Sequence, residues 1–227
     1  QKAAVDEAAA RRAAWLEDRA ALLERASAEL RVTAASAQGG VGSPPADGPL
    51  GPGLSGPSVG PDDTEASRKG RALHMVMELV DYAVPTHIDA MVGRACVEED
   101  AVGHEAEVRV WVDACLTSDA VRRANAADGV HREVPFTIAV DDGEAYEVGR
   151  IDLVIRNGHD LTIVDWKSDR VTAGEEQAHT EEWHRDQAEA YVRALRASLP
   201  GHMHVGEVVF VYARTGGEGI IHPEGLF

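Results

Sequence analysis

Positive charge is scarce in this chain. Its 227 residues carry 22 Lys and Arg against 39 Asp and Glu, a formal net charge of −17. That balance argues against unaided binding to nucleic acid through a basic surface, because such binding is mostly neutralisation of phosphates by cations. If a polyanion is the target, something else must deliver it. Cysteine is scarcer still. Cys96 and Cys115 fit no metal-ligand spacing, and two buried free thiols in a reducing cytosol are expected. No apolar run approaches the roughly 18 residues of a membrane span, and no signal-peptide pattern opens the chain, so a cytoplasmic location is expected. No G-x-x-x-x-G-K-[ST] loop occurs, so nucleotide-driven motor chemistry would have to lie elsewhere. The start at Gln1 suggests a processed chain or a piece of something longer.

What is present suits one substantial soluble domain with appendages, at 44% hydrophobic residues. Residues 2–32 are rich in Ala, Leu, Glu and Arg, and the spacing of Trp15, Leu16, Leu22, Leu23 and Leu30 predicts amphipathic helix; residues 1–37 are read as an N-terminal helical segment. Residues 39–61 hold 8 Gly and 6 Pro, which predicts a linker or long loop over residues 38–63. The main domain is placed at 64–227. Asp62-Asp63-Thr64 offers a cap for a helix running to about Ala83, before Pro85. In that helix Gly70 is a poor helix former and hints at a close approach by another segment. His74, one turn on, lies among Leu73, Val76, Met77 and Val80, where a satisfied core histidine is the simplest reading. Residues 86–128 read as helical.

The most informative stretch is VGRIDLVIRNGHDLTIVDWK, residues 148–167. Two apolar runs flank Asn157-Gly158, which predicts a β-hairpin. Asp152, Asp165 and Lys167 interrupt it. If Arg156 pairs with Leu161, Asp152 stands opposite Asp165; if Arg156 pairs with His159, the two are diagonal neighbours. Either way all three side chains share a face, because strand side chains alternate with period two. Carboxylates roughly 5–8 Å apart on a buried face repel and lose hydration. A hard divalent cation such as Mg²⁺ resolves that conflict; ordinary surface ion pairing is the bland alternative.

Before the hairpin, HREVPFTIAV from His131 predicts a strand ending at an Asp141-Asp142-Gly143 tip. After it, a polar loop from Ser168 to Thr180 leads to a helix over about Glu181–Ser198. Trp183, Gln187, Tyr191 and Leu195 would share one face of that helix. EVVFVYAR, residues 207–214, predicts the last strand. The fold class is therefore α/β: a central sheet flanked by helices, with a helical insert.

Five motifs in this order resemble the PD-(D/E)XK nuclease superfamily, and more narrowly the RecB/AddA-type nuclease domains of bacterial helicase-nucleases. GRALHMVMELVD matches G-x-x-x-H at His74; REVPF matches E-x-P-F at Glu133; GRIDLV matches G-x-I-D at Asp152. IVDWKSD matches D-Y-K-T-D, with Trp166 and Ser168 replacing Tyr and Thr, and HRDQAEAYVRAL matches Q-x-x-x-Y at Gln187 and Tyr191. The match runs from about Arg68 to Arg214. It implies a restriction-endonuclease-like core with a mixed sheet. It also implies Mg²⁺ or Mn²⁺ held by His74, Asp152, Asp165 and the Trp166 carbonyl, with Glu133 holding a metal-bound water or a second ion. Lys167 would orient the attacking water, and Gln187 and Tyr191 would position Lys167 and the scissile phosphate. Relatives with an iron–sulfur cluster supply four cysteines, so none is expected here. The resemblance implies a DNA nuclease, acting on single strands fed by a helicase motor in the same polypeptide or complex during double-strand-break repair. A catalytically inactive nuclease-like scaffold or DNA-binding module of a helicase complex is the alternative.

Overall fold

The computed structural model describes residues 31–34, 64–140 and 145–226. The helix expected over residues 2–32 lies, through residue 30, outside the described residues, as do the linker of residues 38–63 and the Asp141-Asp142-Gly143 tip. Arg31–Ala34 is described, and it is a strand (β1) instead of the helix expected through residue 37. It pairs in parallel with residues 145–148, in the first strand of the central hairpin.

Thr64 caps the first helix, α1 (Glu65–Leu79), its hydroxyl accepting from the Ser67 amide at 3.2 Å. The helix stops four residues short of the expected Ala83. Val80 turns extended, and Tyr82 folds back to donate its hydroxyl to the Met77 carbonyl. Residues 86–128 resolve into α2 (Ile88–Glu98), α3 (Glu105–Leu116) and α4 (Asp119–Asn125). Lys69, almost fully buried, ties α1 to α3 by reaching Glu65 at 2.9 Å and Glu107 at 2.8 Å. Cys96 and Cys115 are free and buried in this helical layer.

The strands β2 (Gly129–Val140), β3 (Ala145–Asn157), β4 (Asp160–Lys167), β5 (His204–Tyr212) and β6 (Glu218–Ile221) complete a six-stranded mixed sheet among the described residues. Arg156 pairs with Leu161, so the first of the two expected registers holds. The turn itself is Gly158-His159, flanked by the pair Asn157 and Asp160, with Gly158 at φ 60°. β2 covers one edge of β3 throughout, while β1 and β4 share the other edge at residues 145–148 and 153–157. Between them, no described strand pairs with that edge over residues 149–152.

Two further expectations change. The helix expected over Glu181–Ser198 is two helices, α5 (Glu176–Trp183) and α6 (Arg185–Ser198), broken at His184. Trp183 therefore leaves the face shared by Gln187, Tyr191 and Leu195 and is partly exposed. The strand expected to be last is followed by β6, whose four residues are too short to show a period. Both sheet faces are buried. Leu153, Ile155, Val164 and Trp166 pack under α1–α4, and Ile151, Ile163, Phe210 and Tyr212 pack under α6 with Tyr191 and Leu195.

β6 is held against α5 by the absence of a side chain. A Cβ on Gly219 would fall inside the Thr180 side chain and 2.9 Å from the Glu176 carbonyl oxygen. Gly219→Ala should therefore cost about 1–3 kcal/mol by overpacking, read from the denaturant midpoint. An unchanged midpoint would show that β6 and α5 are not closely packed.

Candidate active site

The edge of β3 shared by β1 and β4 is where the charged side chains gather. The β3–β4 ladder ends at Leu153 and Val164, one pair before Asp152 and Asp165. The two strands separate there, and the Asp152 side chain fills the gap: its Oδ2 accepts from the Trp166 amide at 2.7 Å. On the other side, the β2–β3 ladder skips from Arg132–Leu153 to Val134–Ile151. The residue skipped on β2, Glu133, has φ 51°, a left-handed conformation uncommon for a non-glycine residue.

α1 supplies His74 through Gly70. A Cβ there would meet Ser168 Oγ at 2.9 Å, so the bare glycine lets α1 lie against the strand end that follows Lys167. This is the close approach expected from the sequence. One turn later His74 Nδ1 comes 3.1 Å from Asp152 Oδ1. α6 supplies the opposite wall. Tyr191 donates to Asp165 Oδ1 at 2.6 Å, Gln187 Nε2 donates to the Tyr191 hydroxyl at 2.7 Å, and Lys167 donates to Gln187 Oε1 at 2.7 Å. Lys167 Nζ also lies 2.9 Å from Asp165 Oδ2, so that buried oxygen is ion-paired to the lysine.

These residues line a cleft of about 950 Å³ that includes His74, Glu133, Asp152, Asp165, Trp166, Lys167, Gln187 and Tyr191. All the residues singled out from the sequence thus meet in one place. Their grouping is uneven, however. The ligand atoms of His74, Glu133 and Asp152 lie within 4.8 Å of one another, whereas Asp165 is drawn into the Tyr191–Gln187–Lys167 network. Glu133, given only a supporting role by the sequence, is therefore in the compact set.

Electrostatics follow from this crowding. Burial alone would depress the His74 pKa, but the Asp152 and Asp165 carboxylates outweigh it and hold the ring at about 9. Burial opposes ionisation of Asp165, yet Lys167, His74 and the Tyr191 hydroxyl keep its carboxyl below the usual range. Glu133 is pushed up by burial and by Asp152. Burial and the Asp165 charge raise Tyr191 well above its ordinary value, so it serves as a neutral donor. Two buried carboxylates suit a hard cation, and the negative field that favours a proton on His74 would equally favour an ion that displaces it.

A protein-family model described as the PD-(D/E)XK nuclease superfamily matches residues 52–225, well over half of the chain. The chain belongs to this superfamily. Similar curated proteins are ATP-dependent helicase/nuclease subunits of Bacillus cereus and of Bacillus thuringiensis, each 30% identical over 156 residues, and of Bacillus mycoides, 28% identical over 156 residues. Each alignment covers 59% of this chain and 13% of the relative. In this PD-(D/E)XK domain the hairpin carboxylates line the cleft that His74 of α1 and Gln187 and Tyr191 of α6 also border. Among the described residues no helix is long and apolar enough to cross a membrane.

Sequence reasoning missed other residues at this cleft. Arg150 donates to Glu133 Oε2 at 3.1 Å, and Asp169 lines the wall beyond Lys167. Arg150 and Asp169 stand inside the quoted motifs, but nothing local marks which way they point.

The charge coupling is measurable in protein stripped of divalent ions. The His74 ring resonance should titrate near 9 instead of about 6.5. A raised folded-state pKa stabilises fully below about 6.5 and loses that contribution as pH rises through about 9. His74→Ala should flatten stability across that window. A His74 titration at the ordinary value would remove the coupling to Asp152.

Proposed function

We propose that this domain is a divalent-metal-dependent DNA nuclease, cutting single strands delivered by a helicase motor in the same polypeptide or complex during break processing. The observation that carries the reading is the pair of buried carboxylates one strand pair beyond the ladder's end, with His74 3.1 Å from Asp152 and Lys167 2.9 Å from Asp165. His74, Asp152, Asp165 and the Trp166 carbonyl would hold Mg²⁺ or Mn²⁺, with Glu133 beside them. A cation bound there supplies a more acidic water and neutralises charge on the phosphate.

The remaining work falls to the chain's own groups. Lys167 can hold the attacking water and stabilise negative charge on the phosphoryl oxygens. Gln187 acts as a positioning residue, because its Oε1 fixes the Lys167 ammonium and its Nε2 fixes the Tyr191 hydroxyl. Tyr191 in turn fixes Asp165. The water oxygen forms a bond to phosphorus as the bond to the 3′ oxygen breaks, leaving a 5′-phosphate and a 3′-hydroxyl. The −17 charge supports the delivered-strand reading, since the domain has little long-range attraction for DNA. The names of the similar proteins, which pair a helicase with a nuclease, agree with a motor as the source of that strand.

The test is cleavage of end-labelled single-stranded DNA by the purified chain with Mg²⁺, Mn²⁺ or EDTA. Cleavage should require the metal, and Asp165→Ala should lower it by about 10²-fold or more while circular dichroism shows an intact fold. Lys167→Ala should lower the rate by about 10²–10³-fold with a much smaller change in calorimetric Mn²⁺ affinity. Full activity in Asp165→Ala would overturn the metal assignment. Absence of both cleavage and Mn²⁺ binding would favour an inactive scaffold.

A further inference from the structure

A second constellation begins at the cleft wall, with Asp169. Asp169 follows Lys167 by two residues, His179 sits in α5, and His184 is the residue at which α5 gives way to α6. Both imidazoles aim Nε2 at one oxygen, Asp169 Oδ2: His184 from 2.9 Å and His179 from 3.5 Å. All three ligand atoms lie within 4.8 Å of one another.

The helix break is what makes this convergence. On an unbroken helix, residues five apart point roughly 140° from each other. His184 instead has φ −117° and ψ 6°, in a segment that contains neither Gly nor Pro. Its ring is stacked on Phe210, with centroids 5.0 Å apart and planes inclined by 21°, and its side chain is 7% exposed. The His179 and His184 centroids are 5.5 Å apart. Around a tetrahedral ion with bonds of about 2.0–2.1 Å, ligand atoms stand roughly 3.3 Å apart, close to the observed spacings. Burial opposes ionisation of Asp169, but the His184 hydrogen bond and the Lys167 ammonium hold its carboxyl at about 2.

We propose that Asp169, His179 and His184 form a second metal site, structural in role, that takes a borderline transition ion such as Zn²⁺, Co²⁺ or Ni²⁺. Two imidazoles and one carboxylate suit these ions, whereas Mg²⁺ prefers oxygen ligands. Binding displaces the proton that His184 shares with Asp169, and water completes the coordination. The ion ties the loop after Lys167 to the α5–α6 junction, so it fixes the wall on which Lys167 and Ser168 stand. The site is independent of the hairpin carboxylates and stands whether or not the domain cuts DNA.

The test uses Co²⁺ as a spectroscopic probe on an Asp152→Ala, Asp165→Ala double variant, which lacks the hairpin carboxylates. One equivalent should give the intense visible bands of a four-coordinate ion, and Zn²⁺ should raise the melting temperature. Adding His179→Gln, a change at a partly exposed side chain, should erase both effects. It should weaken affinity by about 100-fold or more, at least the 10–100-fold cost of losing an outer partner. Asp169→Asn should do the same, and equal melting temperatures in EDTA verify that these variants fold. The proposal is overturned if the double variant yields no such bands, or if they persist with His179→Gln. In either case the three groups are simply a hydrogen-bonded pair with a neighbour.

Discussion

Two carboxylates, nearly inaccessible to water, face each other where β3 and β4 part. Most of the surrounding structure compensates for that arrangement. Ionised groups taken out of water cost several kcal/mol each unless they are paired and hydrogen-bonded, and Asp152 and Asp165 are 8% and 3% exposed. Asp152 is satisfied from the sheet side, by the Trp166 amide that has lost its ladder partner, and from α1 by His74. Asp165 is satisfied from α6 by Tyr191, with the Lys167 ammonium beside its other oxygen. Each helix is therefore positioned partly by a charge on the strand beneath it. The strand separation that leaves the Trp166 amide free also opens the edge of β3 at which the cleft forms.

That arrangement also bears on how so acidic a domain handles a polyanion. The cleft contains Arg71, Arg150 and Lys167, but also Glu78, Glu98, Glu99, Glu133, Asp152, Asp165 and Asp169. Its unliganded potential is negative, so the attraction for phosphate has to be created locally. A bound divalent cation offsets the charge of the two hairpin carboxylates, and its field acts over a few ångströms. Long-range steering, which a basic surface would supply, is absent. Under the proposed reading, binding in trans is inherently weak and effective concentration at the end of a motor replaces it.

Much of this was legible in the sequence, for identifiable reasons. Alternation and a tight turn narrowed the hairpin to two registers, and the ladder selects the one in which Arg156 pairs with Leu161 and Asp152 stands across from Asp165. Gly70 announced a close approach because its helix position gave it no other purpose. Glu133 was harder: its positive φ is imposed by the skipped pair between β2 and β3, and propensity carries no trace of that. The break at His184 was invisible because T-E-E-W-H-R contains no breaker residue; ring stacking on Phe210 and the pull of Asp169 decide it. The strand at Arg31–Ala34 was hidden inside a helix-forming composition, and only its partner on β3 makes it a strand.

The broken helix connects these points. Had α5 and α6 been continuous, His179 and His184 would diverge, and the loop after Lys167 would lose the anchor that Asp169 provides. Lys167 is already held by Gln187 at its ammonium and by the Ala213 amide at its carbonyl, at 2.8 Å. Asp169 adds a third restraint two residues downstream, through its hydrogen bond with His184. Restraint of the Lys167 backbone from two directions and of its tip from a third fixes the ammonium 2.9 Å from Asp165 Oδ2. The geometry of α5 and α6 therefore bears on the hairpin although neither helix carries one of its carboxylates.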